Sequence, residues 1–105
     1  MPYLNSILLE GELSDVPAFT TTANGLDRCS FLIASGDQAP AVPVVAYGRL
    51  ALRCNELLDK GSDIRIVGRI AQDLEASETD STFRLHLVAE HVEIKAASHR
   101  HAEVA

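Results

Sequence analysis

Apolar residues alternate with polar ones, or form short apolar runs, in five separate stretches of the chain. This period of two residues is typical of β-strands with one face in a core. In the second stretch, for example, Phe31, Ile33 and Ser35 fall on one face. The predicted strands are residues 3–13, 29–35, 42–47, 64–70 and 83–89.

A different period separates the third and fourth of these strands. Leu50, Cys54, Leu57 and Leu58 are spaced as one apolar stripe of a helix, which predicts a helix over residues 50–59. Gly61 is well placed to end it, because glycine readily adopts a left-handed conformation. A strand–helix–strand unit flanked by β-hairpins predicts an all-β protein: a five-stranded OB-fold barrel with one short helix between strands 3 and 4. OB-folds bind mainly oligonucleotides or oligosaccharides.

Glycine and the polar segments predict where the strands bend and end. Gly11 lies inside the first strand, where a glycine often marks a bulge or a barrel corner. Pro17 and the polar residues 20–25 predict a turn, and residues 72–82 a polar loop or hairpin tip. We therefore expect one OB-fold domain over residues 1–95 and a flexible tail over residues 96–105.

Composition narrows the possible functions. The chain has 105 residues, 47% of them hydrophobic, which fits a single globular domain. No apolar run approaches the roughly 18 residues that a membrane span needs, and the first residues lack a signal-peptide pattern, so we expect a cytoplasmic protein with no membrane association. Cys29 and Cys54 lack metal-ligand spacing and are expected to be buried thiols. We predict no enzyme activity, cofactor or metal site, since no catalytic, phosphate-loop or ligand pattern occurs.

Several motifs together resemble the bacterial single-stranded DNA-binding protein family. Residues 5–13 are similar to its first strand, and residues 44–51 (VVAYGRLA) carry the most specific match. Residues 58–62, 67–70 and 88–93 follow at the expected intervals. The resemblance covers roughly residues 3–95. It implies an OB-fold that binds single-stranded DNA with little sequence preference, in replication, repair or recombination.

The resemblance also implies which residues bind DNA. Tyr47 matches an aromatic of the family that stacks on bases, although a strand tyrosine is as often half-buried core. Arg49 and Arg69 match phosphate-contacting positions. Arg65, four residues before Arg69, shares its side of the strand, and Arg28 is a further usable base. For all four arginines the alternative is that they form solvated cross-strand ion pairs with the abundant carboxylates. Phe19 is either a binding aromatic or a plug for the barrel end.

Two departures from the family leave other functions open. The chain has no tryptophan, and its net charge is −6. Asp73, Glu75, Glu78 and Asp80 place four carboxylates in eight residues, where the family has a basic, aromatic hairpin. The alternative is therefore an OB-fold interaction module that has lost most DNA binding and contacts a protein partner through its acidic surface. Oligosaccharide binding is a third possibility, which the shortage of aromatics disfavours.

The family usually forms homotetramers, partly by pairing first strands. Residues 4–9 could do this here through an exposed strand edge. We therefore expect a homo-oligomer, a tetramer or a dimer, whose partners are single-stranded DNA and, by resemblance, replication or repair proteins.

Overall fold

The computed structural model describes residues 3–36, 40–72 and 85–96. Within these ranges the chain forms six strands and one helix. In chain order they are β1 (Ile7–Leu13), β2 (Ala18–Thr21), β3 (Asp27–Ala34), β4 (Val42–Tyr47), α1 (Arg49–Leu57), β5 (Asp63–Gln72) and β6 (Leu85–Ala96). In the described residues, no helix is both long enough and apolar enough to cross a membrane.

Five of the strands close a barrel. Neighbouring strands follow the order β1–β5–β6–β4–β3, and β1 returns to pair with β3. All these pairs are antiparallel except β4 and β6, which run parallel. Helix α1 follows β4 directly and packs against β3 and β4. The predicted OB-fold barrel with one short helix is confirmed.

The core lies inside this barrel, and the sequence alternation explains it. On β3 the residues Cys29, Phe31 and Ile33 are buried, while the residues between them point outward. Ile64 and Ile66 of β5 are fully buried in the same core. The expected burial of Phe31 and of both cysteines is confirmed. Burial, and to a lesser extent proximity to Cys29, raises the pKa of the Cys54 thiol to about 12, so this thiol is protonated at neutral pH.

The main difference from the predicted strands is β2. Residues 18–21 lie where a turn is expected, yet they pair with residues 27–30 of β3. Gly25 makes this hairpin possible, because it sits in the turn with a φ of +81°. Since β2 is an additional strand between the first and second predicted strands, the helix lies between β4 and β5 in the numbering used here.

Smaller differences concern the ends of elements. Helix α1 ends at Leu57, two residues before the predicted end at residue 59. Strand β6 begins at Leu85 and runs to Ala96, past the predicted end at residue 89. Residues 83–84 of the predicted fifth strand, the acidic residues 73–80 and residues 97–105 of the predicted tail lie outside the described residues.

Two glycines allow strands to approach closely. A Cβ atom added to Gly11 would lie 2.6 Å from the carbonyl oxygen of Ala34, where β1 crosses from β5 onto β3. A Cβ atom added to Gly68 would lie 2.2 Å from the carbonyl oxygen of Val88. Gly68 also borders the irregular step in the β5–β6 register. Both contacts are with backbone, which cannot move aside as a flexible side chain would.

We expect Gly11→Ala to lower the free energy of unfolding by about 3 kcal/mol, the upper end of the range for overpacked sites. Gly25→Ala is the matched control, because nothing lies within 4 Å of its added Cβ atom. Its positive φ alone should cost about 1 kcal/mol. Urea denaturation of the two variants measures both values. Equal losses would contradict the close approach of β1 and β3 at Gly11.

Candidate nucleic-acid interface

The outward side of β3 and β4 brings several of the candidate DNA-binding residues together. Arg28 lies opposite Tyr47, Ser30 opposite Val45, and Leu32 opposite Pro43. Directly opposed residues on neighbouring strands point to the same side of a sheet. Their neighbours Cys29 and Val44 are fully buried in the core, so this set points out of the barrel. We call this surface the outer face, and it consists of Arg28, Ser30, Leu32, Pro43, Val45 and Tyr47.

Tyr47 and Arg28 form one end of the outer face. Both side chains are half-buried, and Thr20 of β2 lies on the other side of Arg28. Side chains opposed in this way have Cβ atoms about 5 Å apart, within reach of one nucleotide. The Arg28 Nε atom is shielded from solvent and has no hydrogen-bond partner within residues 3–36, 40–72 and 85–96. An aromatic ring beside a guanidinium group can stack on a base and contact its phosphate.

Arg69 extends the outer face across β6. Arg69 lies opposite Val88, and Val88 is paired with Val45 of β4. Three residues aligned in this way point to the same side of the sheet. Arg69 and Val45 are therefore two strand spacings apart, which is about 10 Å. Arg69 is exposed. Its guanidinium group is therefore available to solvent on the side that carries Tyr47.

Arg49 lies at the edge of the same region, as the first residue of α1 and two residues after Tyr47. It is exposed, and the preceding Gly48 has a φ of +66° and donates its N–H to the carbonyl of Asp27 at 2.9 Å. The first turn of α1 has no acidic residue and no side-chain cap. A cation at this end of a helix is disfavoured by the helix dipole, whereas an anion is favoured. The helix dipole therefore does not stabilise Arg49 in this position, whereas a phosphate bound at this end of the helix would be attracted to it.

Arg65 has different surroundings. Its guanidinium group lies 2.8 Å from the Glu10 carboxylate on β1 and 3.4 Å from the Glu93 carboxylate on β6. Lys95 also contacts Glu10, at 3.1 Å. The hydrogen bonds and charges of Lys95 and Arg65 hold the pKa of the Glu10 carboxyl below its ordinary value. Arg65 thus points outward from β5, as Arg69 does, but its charge is neutralised by two neighbouring strands.

Phe19 is separated from the outer face. It is half-buried, packs against the core and lies opposite the fully buried Cys29. This position fits the alternative in which Phe19 covers an end of the barrel. Its stacking role stays a prediction.

His86 is a residue that the sequence analysis did not select. It is one of two buried polar or charged residues in the described part of the chain, and its Nδ1 atom has no hydrogen-bond partner. It lines a groove of about 600 Å³ together with Arg28, Val45 and Pro43. Its position two residues before Val88 is the one signal in the sequence, because alternation then places it on the side of Val45. The described residues contain no group of three or more potential metal ligands.

Comparison with known proteins connects this geometry to a family. The chain matches the model of the single-strand binding protein family over residues 4–95. A single-stranded DNA binding protein from Thermus aquaticus has a TM-score of 0.75 and 24% identity, over 90% of this chain and 42% of that one. The SSB domain of a Synechococcus sp. protein has a TM-score of 0.73 and 14% identity, over 89% and 98% of the two chains. No curated protein sequence matches the chain.

The two kinds of likeness carry different weight. At these identities the solved structures establish the shared fold, and the chain spans less than half of the Thermus aquaticus protein. The family model, in contrast, covers nearly all of the described residues. The chain belongs to the single-strand binding protein family.

Proposed function

We propose that the protein binds single-stranded DNA with little sequence preference, in the cytoplasm, and acts in DNA replication, repair or recombination. Family membership supports single-stranded DNA binding in general. The observation that carries the proposal is the placement of Arg28, Tyr47 and Arg69 on one side of the sheet, with Arg49 at its edge. We infer a binding role and no catalytic one, in keeping with membership of the single-strand binding protein family.

The composition of the outer face determines how such binding would work. Tyr47 is the one aromatic residue on it, so stacking on a single ring, worth about 1–3 kcal/mol, has to be supplemented by phosphate contacts. Contacts from Arg49 and Arg69 release counterions from the DNA backbone, which makes affinity fall steeply with salt. Binding should accordingly be weak at high salt and tight at low salt.

The proposed DNA contacts can be tested one at a time. Tyr47→Leu should weaken binding to oligo-dT by about 1–3 kcal/mol, because one stacking platform is lost. Arg49→Gln and Arg69→Gln should each reduce the slope of log affinity against log salt concentration by about 1, because each variant loses one phosphate contact. Fluorescence titration with labelled oligo-dT at several salt concentrations measures both effects.

Arg53→Gln is the matched control for Arg49→Gln. Arg53 is exposed on the same helix, one turn further from the outer face. Its replacement removes the same net charge and should leave the salt slope nearly unchanged. Equal slopes for the two variants would mean that Arg49 acts only through the total charge of the protein.

Arg65 provides a second contrast, which depends on pH. We expect Arg65→Gln to raise the pKa of Glu10 towards its ordinary value, with Lys95 keeping part of the lowering. In the wild type, Glu10 has a lower pKa in the folded state than in the unfolded state. Its ion pairs therefore stabilise the fold above the ordinary carboxyl pKa, and this stabilisation is lost as the pH falls through the pKa of the folded state. NMR titration of the Glu10 side-chain carboxyl carbon measures the folded-state pKa in both proteins. A larger loss of DNA affinity in Arg65→Gln than in Arg69→Gln would contradict a structural role for Arg65.

We also propose a homo-oligomer, a dimer or a tetramer. Strand β1 pairs with β3 only at Glu12 and Leu13, so the same edge of β1 from Ile7 to Leu9 has no strand beside it in the described part of the chain. Leu8, on the outward side of β1, is 68% exposed. An unpaired strand edge next to exposed leucine is a surface that a second copy can cover.

Light scattering should therefore give a mass of at least two chains at tens of micromolar. Leu8→Asp should shift the protein towards monomer, because a charge then replaces the apolar contact. Leu52→Asp is the control, since Leu52 is 42% exposed on α1, away from β1. A monomeric wild type, or dissociation by both substitutions, would contradict assembly through β1.

The second candidate function is binding of a protein partner, such as a replication or repair protein, through an acidic surface. The excess of 15 acidic over 9 basic residues favours it. Absence of oligo-dT binding even at 20 mM salt would select this candidate, since electrostatic attraction to DNA is strongest at about that ionic strength or below.

A further inference from the structure

The groove that His86 lines is an unassigned feature of the outer face. It has a volume of about 600 Å³, within the range of small-molecule sites. Its lining is mainly apolar, with the side chains of Val16, Leu32, Pro43, Val45 and Leu85. A concave, mostly apolar surface with few polar groups is typical of a site for a flat organic ligand.

The polar groups of this groove are unusual because two of their nitrogens have no partner. His86 is only 8% exposed, and among the described residues neither its Nδ1 atom nor the Arg28 Nε atom has a hydrogen-bond partner; both atoms are shielded from solvent. Buried polar atoms in folded proteins nearly always have a partner. Two such atoms in residues that line one groove leave two hydrogen-bonding positions that a ligand in the groove could satisfy.

The charge of the groove distinguishes between possible ligands. Asp15 and Arg28 both line it, so their formal charges offset one another. A phosphate would meet the Asp15 carboxylate and apolar walls, neither of which stabilises an anion. A nucleobase is neutral and has apolar faces with hydrogen-bonding edges, which matches the apolar walls and the two unpartnered nitrogens.

We propose that the groove receives one unstacked base of the bound single strand, whose edge pairs with His86 and Arg28. Rotation of the imidazole and guanidinium groups turns their nitrogens towards the base. Arg28 lies directly opposite Tyr47, so a strand that stacks on Tyr47 passes the groove within one or two nucleotides. This inference rests on the proposed DNA binding. It adds a contact to the edge of a base, made by His86, to the phosphate contacts of Arg49 and Arg69.

The test compares binding of a strand that carries bases with binding of a strand that has only the sugar–phosphate backbone. Oligo-dT and an abasic oligonucleotide of the same length are titrated against the wild type and against His86→Leu. We expect the wild type to bind oligo-dT more tightly than the abasic strand. His86→Leu should weaken oligo-dT binding roughly three- to tenfold, the effect of one lost hydrogen bond, and leave binding of the abasic strand unchanged.

Two further variants guard against indirect effects. His91→Leu changes the same residue type on the same strand, where the side chain is exposed and outside the groove, and should leave both affinities unchanged. Ala18→Leu narrows the groove from β2 without touching His86, and should reproduce the selective loss of oligo-dT binding. His86→Leu should also raise the midpoint of thermal unfolding, because an unpartnered buried nitrogen is removed.

The outcomes separate this inference from the proposed function. Unchanged oligo-dT affinity in both His86→Leu and Ala18→Leu would overturn the base site and leave single-stranded DNA binding in place. Equal losses on oligo-dT and the abasic strand would also overturn it, since the contact would then be to phosphate. A wild type that binds neither strand would overturn the DNA-binding proposal, and the base site with it.

Discussion

Closure of the barrel depends on the close approach of β1 to β3 at Gly11. Strand β1 pairs with β5 along most of its length and must still reach β3 at Glu12 and Leu13. A side chain at position 11 would collide with the backbone of Ala34, so only glycine fits there without a shift. With the barrel closed, β3 and β4 bury one side in a continuous core, and their other side forms the outer face, on which Arg28 and Tyr47 are half-buried and Val45 is buried.

The proposed site follows from the registers that this closed barrel imposes. Arg28 and Tyr47 are 19 positions apart in sequence and directly opposed on β3 and β4. Arg69 reaches the same side through Val88 and Val45. The registers of β5 with β1 and β6 place Arg65 between Glu10 and Glu93, where its charge is neutralised. Two arginines on one side of one strand thus differ in availability because their cross-strand neighbours differ.

Much of the fold could be predicted from the sequence, because it depends on local patterns. Alternation in residues 29–35 identified the buried side of β3, and the spacing of Leu50, Cys54 and Leu58 identified α1. The pairing of β2 and the groove at His86 could not be predicted in this way. Both depend on which residues of distant strands lie opposite one another, and no local period reports that. Cross-strand ion pairs of the arginines were an alternative from the sequence, but the particular partners of Arg65 could not be named for the same reason, since both carboxylates come from other strands.

The central claim, that single-stranded DNA lies on the outer face, is tested most directly by backbone amide NMR of the full chain during addition of oligo-dT at low salt. The account predicts that the largest shift changes cluster on β3 and β4, at Arg28, Val45 and Tyr47, and extend to His86 and Arg69. Signals around Glu10 and Glu93 should change little. Changes concentrated at Glu10 and Glu93, or an absence of changes on β3 and β4, would contradict it.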